Sequence, residues 1–260
     1  MASKLFDLTG QVCLVTGGNG GIGLGMAEGM AMQGADVVIW GRNVEKNKAA
    51  KARLEKAGGK VATAKVDVAD EVAVRQGIID IVDEFGRLDT AIANAGMSTS
   101  QASVFDIDTE QFDRVMQVNV NGVLYTLRES ARHMVERAKA GDAGGALVGI
   151  ASTAAIHGAA RNEHYAASKG GVVTMCRAMA VEFARHKISV NSICPGWVRS
   201  GMSAKAQTND KFNERVIGRV PMKGWGDPED FGAIAAYLSS PASRYHTGDT
   251  IVIDGAYTIF

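Results

Sequence analysis

The sequence has 260 residues, with 28 basic and 28 acidic side chains and a formal net charge of zero at pH 7. This length suits one α/β domain with a large core, and the balanced charge argues against a nucleic acid or another polyanion as partner. Because no apolar run approaches a membrane span and the first ten residues lack the apolar core of a signal peptide, we expect a cytoplasmic protein with no membrane partner.

The first predicted elements are a strand, a glycine-rich turn and a helix. Val12 to Thr16 is a short apolar run, and Gly17-Gly-Asn-Gly-Gly-Ile-Gly23 leads from it into a helical segment that extends to about Gln33. Glycines let the backbone approach a pyrophosphate, and the helix N-terminus offers free N–H groups and the positive end of its dipole. The turn therefore predicts a dinucleotide site, with tight packing of the glycines as the alternative.

A cation follows the second predicted strand. Asp36 to Trp40 is the strand, Arg42 comes two residues after it, and Asn43 is a candidate cap for the next helix. Dinucleotide folds read the adenosine ribose at this strand end, where an acidic residue suits a free 2′-hydroxyl and an arginine suits a 2′-phosphate. Because Arg42 stands there without a carboxylate, NADP(H) is favoured as the cofactor. NAD(H) is the alternative if Arg42 only stacks on the adenine.

The third and fourth predicted strands end in further polar residues. Val61 to Val66 leads into Asp67, which either meets the adenine amino group or is merely a turn former. Leu88 to Ala93 is closed by Asn94-Ala-Gly96, and a long helix is predicted from Asp108 or Thr109 to about Arg137. Asn119 lies in the middle of that helix, where asparagine is usually a surface or back-bonding residue.

A tyrosine and a lysine stand four residues apart on the next predicted helix. The apolar strand Ala146 to Ala151 ends at Ser152, and the helix after it carries Tyr165 and Lys169. Residues at this spacing share one helix face. A lysine ammonium ~4 Å from a phenol, at an effective dielectric of ~20, lowers the phenol pKa by about three units. The pair is therefore a candidate acid/base near pH 7, with an ordinary surface contact as the alternative.

The last part of the chain contains two strands, a helix and a long irregular segment. Ile188 to Ile193 is a strand that Pro195-Gly196 ends abruptly. The stretch 197–226 is long, mixed and poorly periodic, which predicts a mobile lid over the substrate. A helix from Pro228 and a strand from Thr250 to Asp254 complete the pattern.

Strand and helix alternate along the whole chain. The alternation predicts an α/β fold, a doubly wound (Rossmann-like), mostly parallel sheet of seven strands with helices on both faces, in a single domain over residues 1–260. Its three cysteines lie in separate apolar segments without metal-ligand spacing, so we expect buried, reduced thiols and no metal site: Cys13, Cys176 and Cys194.

Taken in order, these motifs resemble the short-chain dehydrogenase/reductase family, over essentially the whole chain. The resemblance rests on the glycine turn, Asn94-Ala-Gly96, Asn119, Ser152, Tyr165-x-x-x-Lys169 and Pro195-Gly196. It implies that Ser152 orients the substrate, that Tyr165 is the acid/base and that Lys169 binds the nicotinamide ribose and lowers the tyrosine pKa. Asn119 is implied to hold a water that links the lysine to solvent.

The resemblance also implies a set of cofactor contacts. They are Gly17, Asn19, Gly21, Ile22, Gly23, Arg42, Asp67, Val68, Asn94, Gly96, Tyr165, Lys169, Pro195, Gly196, Val198 and Ser200. Two positions depart from the family pattern: Ala93 stands where a second asparagine is frequent, and Ser200 stands where a threonine often contacts the carboxamide.

The implied activity is hydride transfer between a nicotinamide and a small secondary alcohol or its ketone or aldehyde. Candidate substrate contacts are Ser152, His157, Arg161, Trp197 and Met202, with Met97 and His164 as further wall residues. The alternative for Arg161 and His164 is an ordinary exposed loop position. Alternative functions are reduction of carrier-bound 3-oxoacyl groups, a nucleotide-sugar epimerase or dehydratase, and non-catalytic nucleotide binding.

The two long predicted helices carry many apolar residues. These residues make an apolar surface that is too wide for one face of a sheet, so the sequence predicts a homo-oligomer. The resemblance implies a homotetramer in which those helices pair. The residues concerned are Val115, Met116, Val118, Val172, Val173, Met175 and Met179.

Overall fold

Seven strands form one sheet in the computed structural model, which describes residues 5–260. The strands are β1 (Val12–Thr16), β2 (Asp36–Trp40), β3 (Val61–Ala64), β4 (Thr90–Ala93), β5 (Gly145–Ile150), β6 (Ile188–Pro195) and β7 (Thr250–Ile253). Their order in the sheet is β3-β2-β1-β4-β5-β6-β7, and every pairing is parallel. The predicted doubly wound sheet is confirmed. The winding reverses between β1 and β4, and ligands of such sheets bind at the carboxyl ends of the strands beside this point.

Within the described residues, ten α-helices connect the strands or lie in the loops after them. They are α1 (Gly21–Met32), α2 (Val44–Leu54), α3 (Glu71–Phe85), α4 (Thr109–Met116), α5 (Gly122–Lys139), α6 (Ala154–His157), α7 (Glu163–Phe183), α8 (Ala204–Gln207), α9 (Asp210–Arg219) and α10 (Gly232–Ser239). Asn43, Asp70 and Asp108 cap α2, α3 and α4 by accepting a backbone N–H, so the helix starts predicted at Asn43 and Asp108 are confirmed. Residues 1–4 of the N-terminal segment lie outside the described residues.

The two faces of the sheet are buried in separate cores. Leu14 and Trp40 pack with residues of α3, α5 and α7, whereas Val15 and Ile39 pack with residues of α1 and α10. Neighbouring residues of one strand enter opposite cores because side chains alternate across a strand. Cys13, Cys176 and Cys194 are buried free thiols, as predicted. Across the described chain, no helix combines the length and apolar character that a membrane crossing needs.

The long helix predicted from Thr109 to Arg137 is interrupted. A π-helical turn, Gln117–Asn121, separates α4 from α5, and the N–H of Gly122 donates to the carbonyl of Gln117. Single π turns inside α-helices are frequent at functional sites. Asn119 lies in this turn and is fully buried. The pattern-based interpretation of Asn119 as a surface residue is therefore wrong.

The segment 197–226, predicted to be a lid, follows β6, and its two ends pair with each other. The N–H of Gly226 donates to the Trp197 carbonyl at 2.9 Å, and the N–H of Arg199 donates to the Gly226 carbonyl at 2.9 Å. The segment contains α8 and α9, and a small core that includes Val216 and Trp225 packs beneath it. Its movement over a substrate stays a prediction.

Most of the apolar residues that led to the oligomer prediction lie in the core of the protomer. Val115, Val118, Val172, Val173 and Met179 are buried, and Met175 packs against the same core while partly exposed. The helices need this wide apolar surface because they pack on each other as well as on the sheet. Their apolar character therefore gives no evidence of an interface, and the homotetramer prediction rests on the family resemblance.

Candidate active site

The glycine-rich turn joins β1 to α1 at the carboxyl edge of the sheet. Gly17 and Gly21 have φ values of +65° and +52°, a left-handed backbone that glycine adopts without strain. Within residues 5–260 no side chain caps α1, and its first turn has no acidic residue. The free N–H groups and the positive dipole end therefore face the edge where a pyrophosphate of a dinucleotide would lie. The residues present fit such a cofactor.

Asn94 supports this turn from β4. Its Nδ2 donates to the carbonyl of Thr16 at 2.9 Å and to that of Gly17 at 3.3 Å. A β-carbon at Gly23 would collide with the Asn94 side chain, so glycine is required there for space. Asn94 thus holds the turn in shape with both amide protons, while its predicted contact to the cofactor stays a prediction.

The predicted adenosine contacts lie together at the ends of β2 and β3. Nη1 of Arg42 is 3.8 Å from Oδ2 of Asp67, and the Arg42 side chain is 64% exposed. An exposed ion pair at this distance contributes little free energy, so the guanidinium is free to bind a stronger anion. Val68 is buried against Gly122. The structure therefore brings Arg42 and Asp67 into one place and leaves Val68 mainly a packing residue.

The predicted catalytic residues meet at the carboxyl end of β5. Nζ of Lys169 donates to the carbonyl of Ile150 at 2.8 Å and lies 5.7 Å from the centroid of the Tyr165 ring. The Ser152 side chain lies near enough to the Tyr165 hydroxyl to affect its pKa. Ser152 Oγ also accepts the N–H of Ala154 at 3.1 Å, which fixes its rotamer at the start of α6. Ser152, Tyr165 and Lys169 form one cluster, as predicted.

Asn119 joins this cluster through the loop after β4. Its Oδ1 accepts the N–H of Met97 at 2.8 Å, and its Nδ2 donates to the Met97 carbonyl at 2.9 Å and to Oγ of Ser168 at 3.0 Å. Oγ of Ser168 in turn donates to the carbonyl of Tyr165 at 2.7 Å. Both amide protons of Asn119 are thus used to tie the loop to α7. Ser168 had no signal in the sequence beyond its place between Tyr165 and Lys169.

Gly96 lies between the asparagine and the lysine. A β-carbon there would be 3.2 Å from Oδ1 of Asn119 and 3.4 Å from Nζ of Lys169. Glycine therefore lets the loop pass between the two side chains, which explains the position of Gly96 next to the candidate active site.

Burial decides the protonation states in the cluster. It raises the pKa of Tyr165 above its usual value, and the nearby Ser152 hydroxyl opposes this only in part. It also lowers the pKa of Lys169 to about 8, because the residue is 3% exposed and no carboxylate pairs with it in the described chain. The expected lowering of the tyrosine pKa by the lysine is wrong for the protein alone. Tyr165 is a protonated donor at neutral pH.

An aromatic cluster surrounds Trp197, one of the predicted substrate contacts. Trp197 lies edge-on to Phe212, Trp225 and Tyr257, with ring centroids 5.1, 5.7 and 6.4 Å away. The ring of His157 is 5.6 Å from that of Tyr257. Tyr257 was missed from the sequence because it lies seven residues beyond the start of the last strand, and only the fold brings it against Trp197.

The other predicted substrate contacts lie in different environments. Met202 and Arg161 are exposed, and Met97 is half-buried. His164 is 1% exposed, and its Nε2 is 2.7 Å from Oγ1 of Thr99. The interpretation of His164 as an exposed loop residue is therefore wrong, since it belongs to α7 and is buried beside the loop after β4.

Comparison with known proteins places this geometry among oxidoreductases. A family model described as enoyl-(acyl carrier protein) reductase matches residues 17–258. The gluconate 5-dehydrogenase of Gluconobacter oxydans (strain 621H) is 34% identical over 98% of this chain and 97% of its own length. The 3-oxoacyl-[acyl-carrier-protein] reductase of Chlamydia pneumoniae is 32% identical over 96% of this chain and 98% of its own length. A gluconate 5-dehydrogenase from Burkholderia cenocepacia J2315, solved in complex with NADP and tartrate, is 30% identical, with a TM-score of 0.92 over 99% of this chain and 98% of that one.

Proposed function

This chain belongs to the short-chain dehydrogenase/reductase family, and we propose that it interconverts a secondary alcohol and a ketone on a small polyhydroxylated acid. Membership makes the protein an NAD(P)-dependent oxidoreductase. The observation that carries the proposed reaction is the cluster of Ser152, Tyr165 and Lys169 beside the glycine-rich turn.

Each side chain of the cluster has a separate role in the proposed reaction. Ser152 and Tyr165 hydrogen-bond it, and Tyr165, which is protonated at neutral pH, donates its proton as a ketone is reduced. The nicotinamide cofactor, when bound, supplies the hydride. Lys169 holds the nicotinamide ribose and returns a proton toward the phenol, while Asn119 keeps the loop after β4 against α7. In the oxidation direction Tyr165 accepts the proton from the alcohol.

NADP(H) is the preferred cofactor in this proposal. Arg42 is an exposed guanidinium at the end of β2, and a 2′-phosphate would form stronger, charge-assisted hydrogen bonds with it than Asp67 does at 3.8 Å. The Burkholderia relative, solved with NADP, supports the same choice. NAD(H) stays the alternative if Arg42 does not read the 2′ position.

Arg161 supports an acid as the substrate. Its φ is +67°, which a residue other than glycine adopts only when its surroundings hold it there. The N–H of Arg161 donates to Oε1 of Glu163 at 2.9 Å, and its carbonyl accepts the N–H of Gln101 at 2.9 Å. Among residues 5–260 the exposed guanidinium has no ion pair. A fixed backbone four residues before Tyr165 thus offers a free guanidinium for a carboxylate.

A substrate panel tests this proposal. We expect NADPH to be consumed faster with 5-keto-gluconate than with acetoacetyl-CoA or an apolar cyclic ketone. Arg161→Gln should raise KM for the keto acid about tenfold and leave KM for the uncharged ketone unchanged, because one charge-assisted contact is worth ~1.5 kcal/mol. Arg244→Gln, which removes another exposed arginine, is the control.

The same panel distinguishes the second candidate function. Reduction of a carrier-bound 3-oxoacyl thioester is favoured by the Chlamydia relative and by the description of the family model. Faster turnover of acetoacetyl-CoA than of every keto acid would favour that function and reject the acid substrate.

We also propose a homotetramer, on the family resemblance. Light scattering at micromolar concentration measures the mass directly, and a mass of 27.4 kDa, which is that of one chain, would reject it.

A further inference from the structure

A buried asparagine joins three segments around the adenosine side of the proposed cofactor site. Asn47 lies on α2 and is 3% exposed. Its Oδ1 accepts a hydrogen bond from Nδ2 of Asn19, in the glycine-rich turn, at 2.6 Å. Its Nδ2 donates to the carbonyl of Gly41 at 2.9 Å and to that of Ala64 at 3.1 Å. The side chain thus connects the turn to the ends of β2 and β3.

Asn47 stands where the helix pattern calls for an apolar side chain. The buried residues of α2 are Asn47, Ala50 and Leu54, which share the face toward the sheet. Burying an amide costs free energy unless its polar atoms are hydrogen-bonded, and here its oxygen and both amide protons are engaged. The position is therefore explained by its hydrogen bonds rather than by hydrophobic packing.

Gly41 leaves the space in which this connection forms. A β-carbon on Gly41 would collide with the side chains of both Asn19 and Asn47. Its φ is not in the left-handed region, so the backbone conformation does not require glycine. Gly41 is thus a glycine because the two asparagines meet over its Cα.

The carbonyl that Asn47 holds belongs to the peptide that begins Arg42. The Arg42 side chain is 64% exposed, and its ion pair with Asp67 is long. The position of the guanidinium therefore depends mainly on the backbone, which two hydrogen bonds fix. The N–H of Gly41 donates to the Ala64 carbonyl at 3.2 Å, and Nδ2 of Asn47 donates to the Gly41 carbonyl.

We propose that Asn47 is a positioning residue for the adenosine half of the cofactor. It sets the distance between the glycine-rich turn, which faces the pyrophosphate, and the Gly41–Arg42 peptide, which faces the 2′ position. The inference rests on the proposed function to the extent that a dinucleotide binds at this turn.

Fragments of the cofactor test this without catalysis. Binding of 2′,5′-ADP and of ADP is measured by isothermal titration calorimetry for the wild type, Asn47→Leu and Asn19→Ala. Asn47→Leu keeps the branched shape of the side chain and removes all three hydrogen bonds, so we expect 2′,5′-ADP to bind at least tenfold more weakly and ADP about threefold more weakly. Asn19→Ala removes one bond and should weaken both probes about threefold, and a double variant should bind no more weakly than Asn47→Leu.

Asn43→Ala is the matched control. It removes the cap of the same helix, in which Oδ1 of Asn43 accepts the N–H of Lys46, and leaves the Asn47 hydrogen bonds intact. Its affinity for both probes should stay within twofold of the wild type. If Asn43→Ala weakens binding as much as Asn47→Leu does, general loosening of α2 explains the loss and the inference is rejected.

The remaining outcomes separate this inference from the proposed function. A wild type that binds the probes while Asn47→Leu binds them equally well rejects the role of Asn47 alone. A wild type that prefers ADP rejects the NADP(H) preference. A loss of ADP affinity in Asn47→Leu would then still support the positioning role of Asn47, and an unchanged ADP affinity would reject it. A wild type that binds neither probe rejects both the cofactor site and this inference.

Discussion

The two ends of the proposed cofactor site hold their cations in opposite ways. Lys169, at the catalytic end, is 3% exposed and its Nζ donates to the Ile150 carbonyl at 2.8 Å. Arg42, at the adenosine end, is 64% exposed and its nearest anion, Asp67, is 3.8 Å away. One charge is fixed and dehydrated, whereas the other is hydrated and held mainly by its backbone.

This difference indicates what each end contributes. A fixed, buried cation is preorganised for one geometry, and its burial costs free energy that appears as a lowered lysine pKa. An exposed guanidinium costs little to keep and gains most of its interaction energy when a ligand arrives. Changes at the catalytic end should therefore alter the rate and the stability, and changes at the adenosine end should alter the choice of cofactor.

The largest effect is expected from Tyr165→Phe. The ring keeps its packing but loses the proton donor, so kcat should fall at least 100-fold, as is typical when a general acid is removed. Cofactor affinity should stay within about twofold, since the ring and Lys169 remain. The measurement is kcat in both directions together with a cofactor titration, with the fully exposed Tyr245→Phe as the control. More than about a tenth of the rate would mean a loss below ~1.4 kcal/mol and would remove Tyr165 from the acid/base role.

Lys169→Met should abolish turnover and stabilise the fold. Burial lowers the pKa of Lys169 from 10.5 to about 8. Below pH 8 the lysine is charged in both states, but the charge is buried in the folded wild type and hydrated in the unfolded chain, so it lowers the free energy of unfolding. The variant should be more stable at pH 7 by on the order of 3 kcal/mol, less ~1 kcal/mol for the lost bond to the Ile150 carbonyl.

The pH dependence of that difference is the sharper test. As pH rises from 8 toward 10.5, the free energy of unfolding of the wild type should increase relative to that of the variant. The reason is that the folded lysine loses its proton at a lower pH than the unfolded one does. Urea unfolding of the two proteins at pH 7 and pH 9.5 measures the difference in stability at each pH. Ionisation of the buried cysteines affects both proteins equally and cancels in this difference. A difference that does not change with pH would contradict the buried-charge explanation.

Arg42→Asp should reverse the cofactor preference. The wild type is expected to favour NADP over NAD by roughly ten- to a hundred-fold, the value of one charge-assisted contact of ~1.5–3 kcal/mol, and aspartate adds repulsion to that loss. The ratio of kcat/KM for the two cofactors is the measurement. Lys48→Asp, an equal charge change at an exposed position of α2, should leave the ratio unchanged. A wild type that prefers NAD would show that the adenosine end does not read a phosphate.

The smallest effect is expected from Asn43→Ala. Loss of the bond from the Lys46 N–H removes the cap of α2 and should lower the free energy of unfolding by about 1 kcal/mol. The cofactor preference and kcat should not change, because Asn43 only caps the helix. A changed preference would mean that the adenosine end depends on the whole start of α2 rather than on the hydrogen bonds of Asn47.

Local patterns in the sequence were enough for the fold and for the centre of the site. Alternating strand and helix runs predicted the doubly wound sheet, because the periods of apolar residues reflect which faces are buried. The spacing of Tyr165 and Lys169 predicted a shared helix face, since that relation depends only on helix geometry. Glycine, asparagine and aspartate likewise marked turns and helix starts through their own backbone preferences.

Only the tertiary structure shows the burial and the hydrogen-bond partners of residues that contact distant segments of the chain. Asn47 and Asn119 look like ordinary helix residues in the sequence, and only their partners across the fold show why they are buried amides. Tyr257 reaches Trp197 only after the last strand joins the sheet. The pKa of Tyr165 moved opposite to the expectation because the free energy of burial depends on surroundings that residue spacing does not contain. Motif order thus determined which residues meet, and the packed structure determined their charge and their partners.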